Sequence, residues 1–291
     1  EMRRLLAEFH PDFASYEFPE GGHWYGKNSV DWSPLIDYLK IHEIPNPNEV
    51  RHVEFHTANP GISSTSNWVT IYQQVRPYDF SKVDFTLSKD SLSISGTTKN
   101  VAVLKLDIKK ASLKFPLEIL VDGWKLKIES HQTDVWLKQK EGGNWEIYSN
   151  PELSQKGPHR AGNFKEAFRH KMVFVYGTKG TKEENEWNFA KARYDAETFG
   201  YRGNGSIEII PDSQFNLIKY ADRGVIIYGN SDNNKAWKLL LNQSPVQVFK
   251  GKVIIGNKTL EGDDLGCYFI QPRPDSDIAS VGVVTATGID G

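Results

Sequence analysis

Between Val50 and Tyr148 the sequence breaks into short runs rich in β-branched, aromatic and other apolar residues, separated by clusters of Gly, Asn, Asp and Lys. The runs are "VRHVEFHT", "NWVTIYQQV", "KVDFTLSKD", "SLSISGTT", "VAVLKLDI", "LEILVDGWKLKIE" and "VWLKQKEGGNWEIY". Strand-like runs at this spacing, with turn signals at Asp122-Gly123 and Gly142-Gly143-Asn144, predict an all-β, sandwich-like or barrel-like module over residues 50–150.

The pattern differs on both sides. In residues 1–45, "MRRLLAEF" puts Leu5, Leu6 and Phe9 on one helical face, "ASYEF" alternates as a half-buried strand, and "PEGGHWYG" reads as loop. "DWSPLIDYLKIH" starts another helix, with Ser33 as N-cap and Pro34 at the first helical position. "IPNPNE" then breaks any helix and makes a domain linker. After "SNPELSQKGPHRAGN", the apolar runs "MVFVYG", "SIEIIPD", "GVIIYGN", "CYFIQPRP" and "ASVGVVTATG" are separated in part by the helical stretches "KEENEWNFAKARYDAETFGY" and "NKAWKLLL". Such alternation predicts a mainly parallel, Rossmann- or flavodoxin-like α/β module over residues 160–291. The opening in mid-helix, "EMRRLLAEF", and the close on "ASVGVVTATGIDG" read as the ends of an internal fragment.

Composition narrows the function classes. The 291 residues can build real cores, and a net charge of −2 gives no electrostatic case for nucleic acid or an anionic membrane as partner. The single cysteine, Cys267, excludes an intrachain disulfide and a multi-thiolate metal site. No apolar run approaches the ~20 residues of a membrane-spanning helix, and the first residues have no signal-peptide pattern.

The residue that most invites a chemical role is His23, behind Gly21 and Gly22 and ahead of Trp24 and Tyr25. Glycines there let the backbone approach closely, so the imidazole could reach a serine while its other nitrogen bonds a carboxylate. The run "FASYEFPEGGHWYGKNSVDWSPLIDYLKIHEI" resembles the C-terminal end of an α/β-hydrolase catalytic domain of the prolyl-oligopeptidase-like or esterase type. The segments "KGPHRAGNFKEAF", "ARYDAETFGYRGNGS", "GVIIYGNSDNNKAW" and "QPRPDSDIASVGVV" resemble the C-terminal extension of large bacterial proteins that carry such a domain.

The resemblance implies that residues 1–45 are the tail of the hydrolase domain and that His23 is the last member of a triad in the order nucleophile, acid, histidine. Neither "GISST" nor "GNSDN" is a G-x-S-x-G elbow, so the serine and the acid are expected upstream of Glu1. The implied function is that of a serine peptidase or carboxylesterase acting on a peptide or ester, with no organic cofactor or metal. The other reading of His23 is a loop residue packing beside Trp24 and Tyr25. Residues 50–291 would then be a non-catalytic binding or interaction unit that holds a glycan, a peptide or a partner domain.

A weaker second site follows from strand ends. If the α/β sheet is parallel, Thr178, Asp212, Asn230, Asp232 and Arg273 all follow strands on one edge, where open α/β sheets bind ligands. The turn Gly177 to Thr181, with Lys179, could present backbone N–H groups to a phosphorylated ligand, although it matches neither a dinucleotide fingerprint nor a P-loop. Both stretches read more readily as turn and cap chemistry. His52 and His56 lie ~13 Å apart on a strand, too far to share a metal. Trp68, Tyr72, Trp124, Trp136 and Trp145 read as a sugar platform or as sandwich packing.

Overall fold

The computed structural model describes residues 2–10, 13–23, 26, 32–129 and 133–291. The chain forms two compact units, Glu1–Asn46 and Pro47–Gly291.

The first unit holds two helices, α1 (Met2–Phe9) and α2 (Ser33–Ile41). Arg4 pairs with Glu8 one turn on, at 2.6 Å, along the exposed side of α1. Trp32 occupies the N-cap of α2, so Ser33 is its first helical residue and Pro34 follows inside the first turn. Residues 13–18 form no strand. This corrects the expected α/β-hydrolase tail: "ASYEF" has the alternation of a strand, but no described residue of its unit offers a ladder to pair with it. Neither helix buries a residue, and Met2, Phe9, Leu35, Leu39 and Ile41 are all exposed.

The second unit begins with ten strands: β1 (His52–Thr57), β2 (Thr65–Ser66), β3 (Val69–Gln74), β4 (Ser81–Leu87), β5 (Ser93–Lys99), β6 (Val101–Asp107), β7 (Leu117–Val121), β8 (Trp124–Ile128), β9 (Asp134–Gln139) and β10 (Trp145–Tyr148). A single helical turn, α3 (Ile108–Ala111), follows β6. The strands make two five-stranded sheets, ordered β1-β4-β5-β7-β8 and β10-β9-β6-β3-β2, antiparallel throughout except for β5 with β7. One core is shared between them: Val83, Phe85, Ile94 and Leu117 from the first sheet meet Ile71, Leu104, Leu106 and Leu137 from the second. Each such side chain contributes roughly 1.5–3 kcal/mol through removal from water.

The two-residue turn between β7 and β8 is Asp122-Gly123, with φ of 49° and 84°. Positive φ at both positions is the hairpin geometry that matches strand twist. Asp122 has a second role. Its carboxylate accepts from the Thr98 amide (2.7 Å), the Thr98 hydroxyl (2.7 Å) and the Trp145 indole (2.8 Å), which ties the rim of one sheet to the last strand of the other.

The remaining elements are β11 (Val173–Tyr176), α4 (Lys182–Gly203), β12 (Glu208–Pro211), β13 (Val225–Tyr228), α5 (Ala236–Leu240), β14 (Val246–Phe249), β15 (Lys252–Ile255), β16 (Lys258–Glu261), β17 (Gly266–Pro272) and β18 (Ser280–Ala286). They give a mixed sheet, β12-β11-β13-β18-β17, in which β17 runs antiparallel to β18. A separate antiparallel sheet, β14-β15-β16, accompanies it. The expected mainly parallel Rossmann- or flavodoxin-like module is therefore corrected as well. Between β13 and β18 the chain makes the five-residue α5, two antiparallel hairpin turns and a returning strand, in place of one long crossover helix. Gly251 (φ 72°) and Gly256 (φ 57°) make those turns possible.

The mixed sheet is apolar on both faces. Val175, Ile227 and Val283 point to α5 and the small sheet, where they meet Trp237, Leu240 and Val253. Phe174, Ile226, Tyr228 and Val284 point the other way, to Ala192 of α4 and to Ala167 in the 3-10 turn Phe164–Phe168. The segment preceding that turn joins the sandwich to the sheet: Gln73 donates to the Lys156 carbonyl at 2.6 Å, and the buried Arg160 donates to the Ala279 carbonyl at 3.1 Å.

Tyr228 is fully buried under α4 and donates to Asp195 at 3.1 Å. Burial, reinforced by the Asp195 charge, pushes its phenol far above the ordinary range. An unfolded tyrosine ionises near pH ~10, so stability from the neutral phenol is complete below that pH and is lost as pH rises toward the folded value. Denaturant unfolding measured from pH 8 to 11 is expected to show stability falling above about pH 10. Tyr228→Phe should flatten that fall, leaving a smaller slope from Tyr72, whose phenol burial also raises.

Candidate functional site

His23 lies in the first unit, exposed, on the loop between α1 and α2. The Gly21 amide donates to the Phe18 carbonyl at 3.2 Å, and a Cβ on Gly21 would come within 2.6 Å of the Phe18 ring. The loop thus turns back tightly on Phe18, so a larger residue at 21 would displace the Phe18 ring. Trp24 and Tyr25, expected beside it, lie outside the described residues. The same unit has a cavity of about 340 Å³ lined by His10, Phe13, Tyr16, Trp32, Leu35 and Tyr38. His23 is not among its lining residues.

In the second unit, the strand-end cluster is assembled at the C-terminal edge of the parallel strands, where β11, β12 and β13 end. Thr178 donates to Asp212 at 2.5 Å, and the Lys235 amide donates to the other carboxylate oxygen at 2.6 Å. The Lys179 amide donates to the Asn233 carbonyl at 3.0 Å. Asn230 bonds the Ala286 carbonyl at 3.1 Å through its amide nitrogen, and Asp232 accepts from the Lys250 amide at 2.9 Å.

Asn234, buried to 1% exposure, donates to both the Val175 carbonyl (3.0 Å) and the Tyr228 carbonyl (2.9 Å), bridging the ends of β11 and β13. The crevice in which an open α/β sheet would seat a ligand is thereby filled. A Cβ on Gly177 would lie 2.5 Å from the Asn233 carbonyl oxygen, and the cavity left beside Asn188 and Asn230 is about 20 Å³. That volume admits roughly one water.

Arg273 does not join this cluster. Because β17 is antiparallel, the residue after it lies at the opposite edge of the sheet, where its buried guanidinium bonds the carbonyls of Tyr220, Arg223 (2.9 Å) and Leu217 (3.3 Å) and the Asp275 carboxylate. It holds a loop together. Sequence reasoning passed over Asn188 and Glu184. Glu184 had a readable signal, since Thr181 and Glu184 form a T-x-x-E capping box at the start of α4.

His52 and His56 are on the outer face of β1, each beside a carboxylate: Asp84 at 3.0 Å and Glu54 at 3.3 Å. Lys82 bonds Glu54 at 2.6 Å, and that bond, followed by the one from His56, holds the Glu54 carboxyl below its usual range. His52, with Lys82 behind it, does the same for Asp84. The result is a charge ladder in water. Among the described residues no group of three His, Cys, Asp or Glu is placed to hold a metal ion.

The tryptophans divide between core and surface. Trp68 and Trp145 are in the sandwich core, Trp124 is at the exposed Asp122-Gly123 hairpin, and Tyr72 and Trp136 pack edge-on at 4.9 Å. They do not form one platform. Cys267 is partly buried, and burial raises its thiol, the opposite of a reactive cysteine.

No family model, no curated protein and no solved structure matches this chain.

The polar strand-end cluster is structural. Asn234→Ala is expected to lower unfolding free energy by about 1–3 kcal/mol, because two buried carbonyls lose a donor. Isothermal titration of the native protein with inorganic phosphate should show no saturation at this edge. Saturable phosphate binding abolished by Asn234→Ala would contradict the assignment.

Proposed function

We propose that this chain contributes the general base of a serine hydrolase, His23, while Pro47–Gly291 forms a non-catalytic accessory unit. The observation that carries the reading is the placement of His23: an exposed imidazole on a tight Gly-Gly loop, between two helices whose apolar residues are exposed. Helices of this kind gain stability mainly by burying an apolar stripe, so they suit a surface that packs against a further body. The use of the second unit's strand-end groups as fold contacts supports the same reading.

In this reading the serine and the acid come from outside these 291 residues. His23 removes the serine proton as the hydroxyl oxygen attacks the carbonyl carbon of a peptide or ester. It then returns that proton to the amine or alcohol as the bond to the leaving group breaks. Water, activated by the same imidazole, adds to the acyl-enzyme and releases the acid and the free serine. No metal or organic cofactor enters these steps.

The test is labelling of the complete gene product with a fluorophosphonate, alongside His23→Ala. Labelling of the native protein that falls at least about a thousandfold in rate with His23→Ala is the expected result. A folded protein that takes no label, or one whose labelling ignores the substitution, overturns the reading.

A further inference from the structure

The outer strand of a sheet presents a row of backbone donors and acceptors without partners, and it pairs with another chain unless something blunts it. The outer strands of Pro47–Gly291 are β1, β8, β10, β2, β12, β17, β14 and β16. β1 carries His52, Glu54 and His56, β8 carries Lys125 and Lys127, and β16 carries Lys258 and Glu261. β2 has two residues, β10 has four with Glu146 among them, and β12 runs only from Glu208 to Pro211. β14 is met by the loop after β13, where the Ser231 amide donates to the Val248 carbonyl at 2.9 Å. β17 differs: its seven residues, "GCYFIQP", hold no charge and no bulge, and its proline is the last of them.

Backbone direction shows which groups of β17 are open. The Thr287 amide donates to the Leu265 carbonyl and the Arg273 amide to the Ala279 carbonyl, each at 3.0 Å, so the odd-numbered residues between them face β18. Gly266, Tyr268 and Ile270 direct their amides and carbonyls the other way, and none of these groups is hydrogen-bonded among the described residues. The side chains are incompletely covered too. Cys267 and Phe269 are only partly buried against the core beneath α5, and Tyr268 is 64% exposed on the other face.

The two ends of β17 are opposite in charge. Asp263 and Asp264, just before the strand, are exposed and make no ion pair among the described residues. At the other end Gln271 and Pro272 border a cavity of about 470 Å³ whose further wall includes Lys238 and Leu241. Lys238 is exposed and likewise makes no ion pair among the described residues.

We propose that β17 pairs antiparallel with β17 of a second copy about a twofold axis at Tyr268, joining two mixed sheets into one. In that register Tyr268 faces its counterpart and Gly266 faces Ile270 of the second copy, so every open amide and carbonyl of both strands finds a partner. An axis at Phe269 would instead set Gly266 against Pro272, which has no amide to donate. Between the bonded positions Cys267 lies beside Phe269 of the second copy, which covers two side chains that one copy leaves partly exposed. The same axis sets Asp264 of each copy opposite Pro272 of the other, at the mouth of the cavity that Lys238 lines. Unpaired carboxylates thus meet an unpaired cation at both ends of the ladder, and this match selects a second copy over an unrelated extended peptide. The inference is independent of the role given to His23.

The test uses the complete gene product with Cys267→Ala and Tyr268→Cys, mildly oxidised, and maps its disulfides by mass spectrometry. A link from position 268 of one copy to position 268 of another is expected, forming at least about tenfold faster than the corresponding link in Tyr201→Cys, because pairing raises the local thiol concentration. Lys238→Glu should slow that link several-fold, and adding Asp263→Lys with Asp264→Lys should restore it. Amide exchange of the unmodified protein reads the edge without substitution: Tyr268 and Ile270 should be protected at high protein concentration, since no described residue of the same copy bonds their amides. Linking no faster than at position 201, a Lys238→Glu effect that the aspartate substitutions leave in place, or fast exchange of both amides at every concentration overturns the proposal. A disulfide from position 268 to a different protein overturns it as well.

Discussion

The side-chain amide of Asn234 donates one hydrogen to the carbonyl of Val175 and the other to that of Tyr228, and the C-terminal edge of the mixed sheet depends on those two bonds. The Tyr228 carbonyl also accepts from the Gly177 amide at 2.9 Å, so Asn234 adds a second donor there and ties that strand end to β11. One planar amide bridges the two strands. Around it Asp212 receives Thr178 and the Lys235 amide, and Asn233 receives the Asn230 amide at 2.8 Å, so the loop after β13 is folded inward over the crevice. A feature that from residue types alone suits ligand binding is here a clamp, in which Thr178, Asp212, Asn230, Asp232 and Asn234 are bonded within the chain.

Other polar groups of the chain differ in how they are held. The outer histidines of β1 are engaged with Asp84 and Glu54, Arg273 is enclosed by carbonyls, and Cys267 has a raised thiol. His23 is exposed on a loop shaped by a glycine that cannot be replaced without moving Phe18. The apolar residues of α1 and α2 are, in turn, surfaces whose hydrophobic stabilisation is incomplete within the described residues.

Much of the sandwich was legible in the sequence. Alternation in "KVDFTLSKD" becomes the buried positions Val83, Phe85 and Leu87 of β4, and Asp122-Gly123 is a two-residue hairpin turn. Other parts were hidden for physical reasons. The run "ASYEF" alternates like a strand, yet pairing is a property of the neighbour as well as of the run. The stretch from Val246 to Glu261 is a three-stranded sheet whose last strand, Lys258–Glu261, is exposed at every position, so it lacks the period-2 hydrophobic signal. Strand direction was the costliest gap. The sequence of β17 reads the same in either direction, and only its antiparallel pairing with β18 places Arg273 at the far edge from Thr178 and Asn230.

The clamp is the central claim, and native-state hydrogen exchange of the Asn230 and Lys235 amides tests it most directly. Both amides are bonded inside the cluster, to Asn233 and Asp212. The account predicts that they exchange only through global unfolding, with the same opening free energy as Val175 in β11, and that added phosphate leaves their rates unchanged. Rapid exchange of these two amides in a stable protein, slowed when phosphate is added, would show an open binding loop and contradict it.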